Sequence, residues 1–313
     1  MGSRTTVVVA TYNRRALLEE TVDSVRRQAG SPRLLVVDDC SSDDTPSYLA
    51  AQSDITALTT PARSERAVAR NLGIGAVETE FVLVLDDDDT LRDGAVGGLE
   101  AALDRYPAAA AAIGGWWPVP GPPDGPYPLN PTRTACGRWW RELLLGWNPA
   151  TAGQLLFRTS ALRDAGGFAP DFPGIDDFVL LLNLAYRSPL AVVPTVVLNY
   201  RIHPGQQKQS DDTWDPKARE AFVASVGPDD RAEAALLLAT KPDFLRAVQS
   251  RDRDGRAALR RFLKAAPWAL RSPVIGRPVA RLLLSMAGEV VLPRPWVAAL
   301  QRRYGHAQRS VGH

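Results

Sequence analysis

Residues 81–89 read FVLVLDDDD, an apolar run that ends directly in four consecutive aspartates. The run contains only Phe, Val and Leu, and it is long enough for a buried strand but too short for a buried helix. In open α/β sheets, ligands bind beyond the carboxyl ends of the strands. The stretch therefore predicts a central strand whose aspartates lie at a ligand-binding edge.

Similar apolar runs occur upstream, TTVVVA at 5–10 and LLVV at 34–37, with a weaker strand at 55–58. Segments with apolar residues at helical spacing alternate with these runs. They span 14–29, 43–51, 64–77 and 93–106. Strand–helix repetition with apolar strands is typical of a mainly parallel sheet covered by helices on both faces. The predicted fold class is α/β.

The pattern changes after a strand predicted at 108–113. Residues 116–131 hold seven prolines and two adjacent tryptophans, which predicts a loop or lid without regular structure. Further elements are expected downstream: helices at 138–147, 160–165 and 176–186, a strand at 155–158, and one or two strands at 191–200. From about residue 215 the chain is rich in Ala and Leu and is predicted to be helical.

Length and composition restrict the class of protein. The chain has 313 residues, 45% apolar and 23% charged, with only two cysteines. This excludes a disordered chain, a collagen and a disulfide scaffold, and it favours a reducing cytoplasm. The sequence has no run of 18 apolar residues and no signal-peptide pattern. We expect a cytoplasmic protein that at most lies on the inner face of the membrane.

The charge is distributed unevenly. Residues 251–313 carry 13 Lys and Arg but three Asp and Glu, whereas the whole chain has a net charge of +2. Amphipathic stretches at 256–270 and 277–291 lie in this basic part. They indicate either peripheral contact with anionic lipid or packed helices with an arginine-rich solvent face. The acidic remainder lacks a recognisable nucleic-acid-binding module, so no nucleic-acid partner is expected.

Polar side chains follow three of the predicted strands. They are Thr11-Tyr12-Asn13, Asp38-Asp39 and Asp86 to Asp89. Carboxylates crowded at one edge repel each other by about 1 kcal/mol or more per pair at an intermediate dielectric, and a cation would relieve this repulsion. Oxygen ligands favour Mg²⁺ or Mn²⁺, with positions left open for a diphosphate. The alternative is that these aspartates cap the following helices in solvated turns.

Six motifs occur along the first two thirds of the chain. They are TYN at 11–13, VVDDCSSDD at 36–44, ARNLG at 69–73, LDDDD at 85–89, GGF at 166–168 and IDDF at 175–178. In this order and spacing they resemble the family 2 glycosyltransferases over about residues 5–205. The resemblance implies a GT-A fold with a Rossmann-like nucleotide-binding half. It also implies an inverting transfer from a nucleotide-diphosphate sugar, with a UDP-sugar as the first expectation.

The resemblance also implies roles for residues of the nucleotide-binding half. Thr11, Tyr12 and Asp39 match positions that frame the nucleotide base. Three further residues lie where members of the family contact the donor: Arg63, Arg66 and Asn71.

The aspartates at 86–88 match the metal-binding DxD region of the family. Asp88 would be the ligand of Mn²⁺ or Mg²⁺, while Asp86 and Asp87 would face the ribose or the donor sugar. Tyr-Arg-x-His at 200–203 also matches the family. There His203 is a candidate metal ligand and Arg201 a candidate contact to the diphosphate, although a histidine in a surface loop is an equal alternative.

Asp176 and Asp177 form a second acidic site. The family usually has Glu-Asp here, and its second residue is the catalytic base, so the resemblance assigns the base to Asp177 and a supporting catalytic role to Asp176. Such a base removes the proton of the acceptor hydroxyl as that oxygen attacks the anomeric carbon. The alternative is a helix N-terminus with two favourable acidic residues.

The resemblance divides the chain into a catalytic domain over 1–210, with a Pro/Trp-rich acceptor-side insert at 116–149, and a helical C-terminal extension over 211–313. Tryptophans of the insert are candidates for stacking on the acceptor, or for core packing. The predicted acceptor is a hydroxyl group of a natural product or a cell-surface glycan. The alternative functions are a catalytically silent nucleotide-sugar-binding scaffold and a sugar nucleotidyltransferase. The second would need a glycine-rich phosphate loop after the first strand, where this chain has TYN.

Overall fold

The computed structural model describes residues 2–121, 130–144, 152–203 and 216–249, together with 257, 260–264, 269 and 271–273. The chain divides into two compact units. The first comprises Met1–Trp140 and Asn148–Phe222, and the second comprises Arg141–Trp147 and Val223–His313. The division into a catalytic domain and an extension at residue 210 stays a prediction.

Nine strands of the described residues form one sheet in the first unit. They are β1 (Thr5–Thr11), β2 (Arg33–Asp38), β3 (Ile55–Thr59), β4 (Phe81–Asp86), β5 (Thr90–Leu91), β6 (Ala111–Val119), β7 (Ala135–Gly137), β8 (Leu155–Arg158) and β9 (Leu190–Arg201). The described helices are α1 (Arg15–Arg26), α2 (Thr45–Ala50), α3 (Arg66–Gly75), α4 (Ala95–Arg105), α5 (Trp140–Leu144), α6 (Thr159–Asp164), α7 (Asp176–Arg187), α8 (Pro216–Ser225) and α9 (Pro228–Gln249). A 3₁₀ turn, Ala152–Gln154, precedes β8.

The first four strands form the parallel part of the sheet, in the order β3-β2-β1-β4. β1 pairs in parallel with β2 and with β4, and β2 pairs in parallel with β3. Because the pairings are in parallel, the carboxyl ends of β1, β2 and β4 meet at one edge, with Thr11 beside Asp38 and Ala10 beside Asp86. That edge carries the polar motifs predicted from the sequence.

The sheet is mixed beyond β4. β8 is antiparallel to both β4 and β6, β6 is parallel to β9, and β9 is antiparallel to β5 and β7. The α/β class with a large helix-flanked sheet is confirmed. The sheet is mainly parallel, as predicted: β1 to β4, β6 and β9 run in one direction, whereas β5, β7 and β8 run in the opposite direction.

One hydrophobic core cluster joins the sheet to helices α1 and α4. Fully buried members come from strand and helix alike, for example Val9, Leu18, Leu83, Leu99 and Leu198. Burial of such side chains stabilises the fold by about 1.5–3 kcal/mol each relative to exposure. The core fixes the strand ends that carry the polar motifs.

One prediction about irregular structure is wrong, and one open alternative is decided. Residues 116–131 were expected to lack regular structure, but β6 continues through Val119, because residues 116–119 pair in parallel with Leu198 to Arg201 of β9. The strand or strand pair expected at 191–200 is the single strand β9. Residues 122–129 and 145–150 of the insert lie outside the described residues.

In the second unit, Arg141 pairs with Glu233 at 2.6 Å, and Leu143, Leu237 and Phe262 are fully buried. No helix among the described residues is both long enough and apolar enough to cross a membrane. The amphipathic stretches predicted at 256–270 and 277–291 fall largely outside the described residues, so lipid contact stays a prediction.

Candidate active site

Asp39, directly after β2, is a buried and firmly held carboxylate. It accepts hydrogen bonds from the hydroxyl groups of Thr60 and Ser64, each at 2.7 Å, and from the Ser64 backbone amide at 3.0 Å. Arg63 forms an ion pair with it. Burial alone would raise the pKa of Asp39, but these hydrogen bonds bring it below its ordinary value. Asp39 is therefore a fixed, charged acceptor.

Tyr12 and Arg63 form a flat surface beside Asp39. The Tyr12 side chain is partly exposed, and the Arg63 guanidinium lies 3.8 Å from the centroid of its ring. The turn is held by Asn13, whose backbone has φ of 51° and whose amide oxygen accepts the Ser42 amide at 2.7 Å. An aromatic face next to a buried acceptor suits a planar heterocycle. The assignment of Tyr12 and Asp39 to the nucleotide base, and of Arg63 to donor contact, stays a prediction.

Asp86, the last residue of β4, and the three aspartates that follow it form what we call the acidic rim, Asp86 to Asp89. Three of these residues are nearly or fully buried, namely Asp87, Asp88 and Asp89. Thr11 donates to Asp87 at 2.8 Å, and Arg14 lies 3.0 Å from Asp87 and 2.8 Å from Asp88. Burial raises the pKa of Asp87 to about 6, which Arg14 opposes and Asp88 reinforces. The rim therefore holds more negative charge than its neighbours neutralise.

Asp86, Asp88 and Asp89 each offer one ligand oxygen within 4.8 Å of the others. Asp89 Oδ1 accepts the Arg201 backbone amide at 2.9 Å, whereas Asp89 Oδ2 is buried without a hydrogen-bond partner. Burial, with repulsion by Asp86 and Asp88, raises the pKa of Asp89 well above its ordinary value. An orphaned carboxylate oxygen beside two more carboxylates fits a hard divalent cation.

His203 and Arg201 reach the rim from the end of β9. His203 Nε2 lies 3.1 Å from Asp88 Oδ2, the same oxygen that Arg14 contacts. Arg201 Nε donates to the Asp88 carbonyl at 2.9 Å, and its Nη2 donates to Glu20 at 2.5 Å. The structure thus brings both residues to the predicted metal ligand. Metal ligation by His203 and diphosphate contact by Arg201 stay predictions.

Asp176 and Asp177, which we call the acidic pair, form the first turn of α7. Asp176 is 1% exposed and accepts from Arg66 at 3.2 Å and from Arg70 at 2.8 Å. Arg70 forms a second ion pair with Asp86. One buried guanidinium therefore connects the acidic pair to the acidic rim.

Asp177 is half-buried and forms no ion pair with the described residues; its Oδ1 accepts a hydrogen bond from the Phe178 amide at 2.7 Å. Burial and repulsion by Asp176 raise the pKa of Asp177 to about 6, against the opposing effect of Arg70 and Arg66. A carboxylate with a pKa near the working pH suits general base catalysis.

Asn71 and Arg66, both predicted donor contacts, face the protein. The Asn71 amide donates to the Phe168 carbonyl at 2.7 Å and accepts the Phe168 amide at 2.9 Å. Arg66 pairs with Asp176. The GGF turn and the acidic pair are the observed partners of these two side chains, and donor contact stays a prediction for both.

The tryptophans of the insert differ in environment. Trp140 is buried and packs against Tyr186 with ring centroids 5.7 Å apart. Trp139 donates to the Leu190 carbonyl at 2.8 Å, and Trp116 lies edge-on to Tyr200 at 5.4 Å. Trp117 is 36% exposed, whereas Trp147 lies outside the described residues. Trp117 is thus the one with most surface for an acceptor among the described tryptophans of the insert.

Two residues of the site escaped the sequence analysis: Arg14 and Arg70. Arg14 directly follows TYN and Arg70 lies within ARNLG, so both belonged to or adjoined recognised motifs. Their partners Asp87, Asp88, Asp86 and Asp176 are distant in sequence, which is why position alone did not identify them.

Comparison with known proteins gives a consistent result. The model of the family described as glycosyl transferase family 2 matches residues 6–164. A succinoglycan biosynthesis protein, ExoO, of Rhizobium meliloti is 37% identical over 111 residues, covering 34% of this chain and 31% of the relative. A pre-mycofactocin glycosyltransferase of Mycobacterium tuberculosis is 32% identical over 181 residues, covering 52% of this chain and 35% of the relative. The matched regions span about a third of the length of these curated relatives.

Among solved structures, residues 1–349 of S. aureus TarS in complex with UDP-GlcNAc superpose with a TM-score of 0.62. The sequence identity is 17%, and the superposition covers 91% of this chain and 87% of that one. At this identity the likeness shows the shared GT-A fold.

Proposed function

The chain belongs to glycosyl transferase family 2, and from that premise we propose that it transfers a sugar from a nucleotide-diphosphate sugar to a hydroxyl group, with inversion at the anomeric carbon. The observation that carries the proposal is the Arg70 bridge, because a guanidinium in contact with both Asp86 and Asp176 brings the acidic rim and the acidic pair to one site. A UDP-sugar is the first expected donor.

In the proposed reaction, Asp177 accepts the proton of the acceptor hydroxyl. The hydroxyl oxygen then forms a bond to the anomeric carbon while the bond from that carbon to the diphosphate oxygen breaks, and the nucleoside diphosphate leaves with both electrons. The raised pKa of Asp177, about 6, leaves the carboxylate ionised at neutral pH and still basic enough to take a proton. Asp176 holds its place through Arg66 and Arg70.

The acidic rim supports a metal-assisted transfer. Asp86, Asp88 and Asp89 would hold Mn²⁺ or Mg²⁺, with the orphaned oxygen of Asp89 as the strongest indication, and His203 is a candidate additional ligand. Bound there, such an ion would act as a Lewis acid that stabilises charge on the departing diphosphate. Tyr12 and Asp39 would receive the nucleotide base, and Trp117 is a candidate acceptor contact.

The test is a calorimetric titration of the full chain with UDP-, GDP- and dTDP-sugars, with and without Mn²⁺. The selected donor is then incubated alone and with hydroxyl acceptors, nucleoside diphosphate release is measured, and NMR gives the anomeric configuration of any product. We expect one nucleotide to bind and the product to have the inverted configuration. Failure of a folded protein to bind any donor would contradict the proposal. Binding without any turnover would favour a catalytically silent scaffold.

A further inference from the structure

Helix α3 carries two neighbouring side chains that reach different parts of the candidate active site. Arg70 is fully buried and pairs with Asp86 at the end of β4 and with Asp176 at the start of α7. A planar guanidinium directs its donors rigidly at two carboxylates at once, whereas a lysine ammonium is a compact charge with rotatable donors on a flexible stem. Arg70 therefore sets the separation of the two acidic groups.

Asn71 secures the segment that leads into α7. Its amide group makes paired hydrogen bonds, at 2.7 and 2.9 Å, with the backbone of buried Phe168. The Arg70 guanidinium also lies 4.9 Å from the centroid of the Phe168 ring. Gly167 has φ of +71°, and a Cβ there would collide with the Asn71 amide. The turn and the asparagine are thus fitted to each other.

We propose that Arg70 and Asn71 are positioning residues: through them, one turn of α3 holds the 168–176 segment and the Asp177 that follows it at a fixed place relative to the acidic rim. The inference rests on the proposed function, since Asp177 matters there as the base. The positioning role replaces the donor contact predicted for Asn71, because both polar atoms of its amide are engaged by the Phe168 backbone. Arg70 is buried against its partners.

Geometry explains why such a device is needed. The acidic rim is anchored on β4 of the sheet, whereas Asp177 follows the segment that enters α7. The described backbone hydrogen bonds within that segment are local, from Phe172 to Ala169 and from Ile175 to Phe172. The contacts from α3 tie this segment to the parallel part of the sheet. A displacement of about 1 Å in a reacting group lowers rates by about 100-fold.

The experiment compares three full-length variants. Arg70→Lys keeps the positive charge but removes the fork, and Asn71→Ala removes the paired hydrogen bonds to Phe168. Arg163→Lys is the matched control, because Arg163 Nη2 donates to the carbonyls of Ile74 and Val77 at 2.9 and 2.6 Å and so holds the C-terminal end of the same helix. Each variant is measured by hydrogen exchange, by calorimetry with the tightest-binding nucleotide of the donor panel, and by donor turnover.

We expect Arg70→Lys and Asn71→Ala to accelerate amide exchange at 168–178 and to lower kcat by about 100-fold, with the nucleotide Kd within about threefold of wild type. Arg163→Lys should accelerate exchange at the end of α3 and leave kcat within about threefold. A Kd that rises in parallel with the loss of kcat would overturn the proposal, as would faster exchange at 168–178 with unchanged turnover.

Two further outcomes separate this proposal from the proposed function. A wild-type protein that neither binds nor consumes any nucleotide sugar would overturn both. A wild-type protein that does turn over, with Arg70→Lys and Arg163→Lys equally impaired, would overturn the positioning role alone. Should Arg70→Lys fail to fold, Asn71→Ala and the variant Asp176→Glu carry the test. Asp176→Glu keeps the charge that Arg70 and Arg66 bind, and it should retain more activity than Asp176→Asn.

Discussion

The acidic rim and the acidic pair hold their negative charge in opposite ways. In the rim, Asp86, Asp88 and Asp89 converge, and one oxygen of Asp89 is buried without a partner. In the pair, Asp176 is bound by two arginines. The rim thus has unbalanced negative charge in a form that a cation relieves. In the pair, Arg66 and Arg70 neutralise the charge of Asp176. Asp177 is therefore the carboxylate of the pair that is available to exchange a proton.

The largest expected effect concerns the base. Asp177→Asn removes the group that accepts the acceptor's proton, and we expect kcat to fall about 1,000-fold, within the range of general base catalysis. Donor affinity should stay within about threefold, because Tyr12 and Asp39, the residues proposed to receive the nucleotide base, follow β1 and β2, whereas Asp177 lies on α7. Turnover and calorimetry on the same preparation check this, with the exposed Asp171→Asn as control. A variant with turnover near that of wild type would remove Asp177 from the mechanism.

The second effect concerns stability at the pair. Asp176→Asn leaves Arg66 and Arg70 facing an uncharged amide, so we expect a loss of about 3 kcal/mol in the free energy of unfolding. Urea denaturation of the metal-free protein measures it. Asp176→Glu should recover most of the loss, since it restores the charge. Equal stability of Asp176→Asn and wild type would mean that the buried ion pairs contribute nothing net.

The third effect is the pH dependence of stability. The pKa of Asp87 is about 6 in the folded protein, above the ordinary value of about 3.9 in the unfolded chain. The folded state therefore binds more protons between these values, and its contribution to stability falls as pH rises from about 4 to about 6. The fall should amount to about 2 kcal/mol for this group.

Urea unfolding at pH 4.5 and pH 7 checks this effect in metal-free wild type and Asp87→Asn. Because other groups titrate alike in both proteins, the variant should lose less stability than wild type across the interval. A variant that loses as much as wild type would show that Asp87 does not titrate in this range.

The smallest expected effect is a gain in stability, in contrast to the loss of stability expected for Asp176→Asn. Asp89→Asn relieves repulsion within the rim and keeps the oxygen that accepts the Arg201 amide, so it should raise the metal-free stability by about 1 kcal/mol. Melting in EDTA tests this prediction. Added Mn²⁺ should then raise the Tm of wild type and not that of the variant. A destabilised variant would mean that the rim is already balanced.

Local sequence signals were sufficient for much of the fold and for locating both acidic groups. The apolar runs of β1, β2 and β4 and the aspartates at their ends are short-range patterns, and parallel pairing brings those ends together. The continuation of β6 through Val119 was not predictable, because its pairing with β9 involves residues about 80 positions away. The role of Arg70 was not predictable either. The sequence does not distinguish a buried helical arginine from an exposed one unless the positions of its carboxylate partners are known.

The most direct test asks whether the acidic rim binds the metal and the acidic pair supplies the base. It is a calorimetric titration of the selected donor, with and without Mn²⁺, into wild type, Asp88→Ala and Asp177→Asn. We expect Mn²⁺ to strengthen donor binding to wild type and to Asp177→Asn equally, and to have no effect on Asp88→Ala. If Asp88→Ala responded to Mn²⁺ as wild type does, or Asp177→Asn lost donor affinity to the same extent as Asp88→Ala, the two acidic groups would not have the separate roles assigned to them.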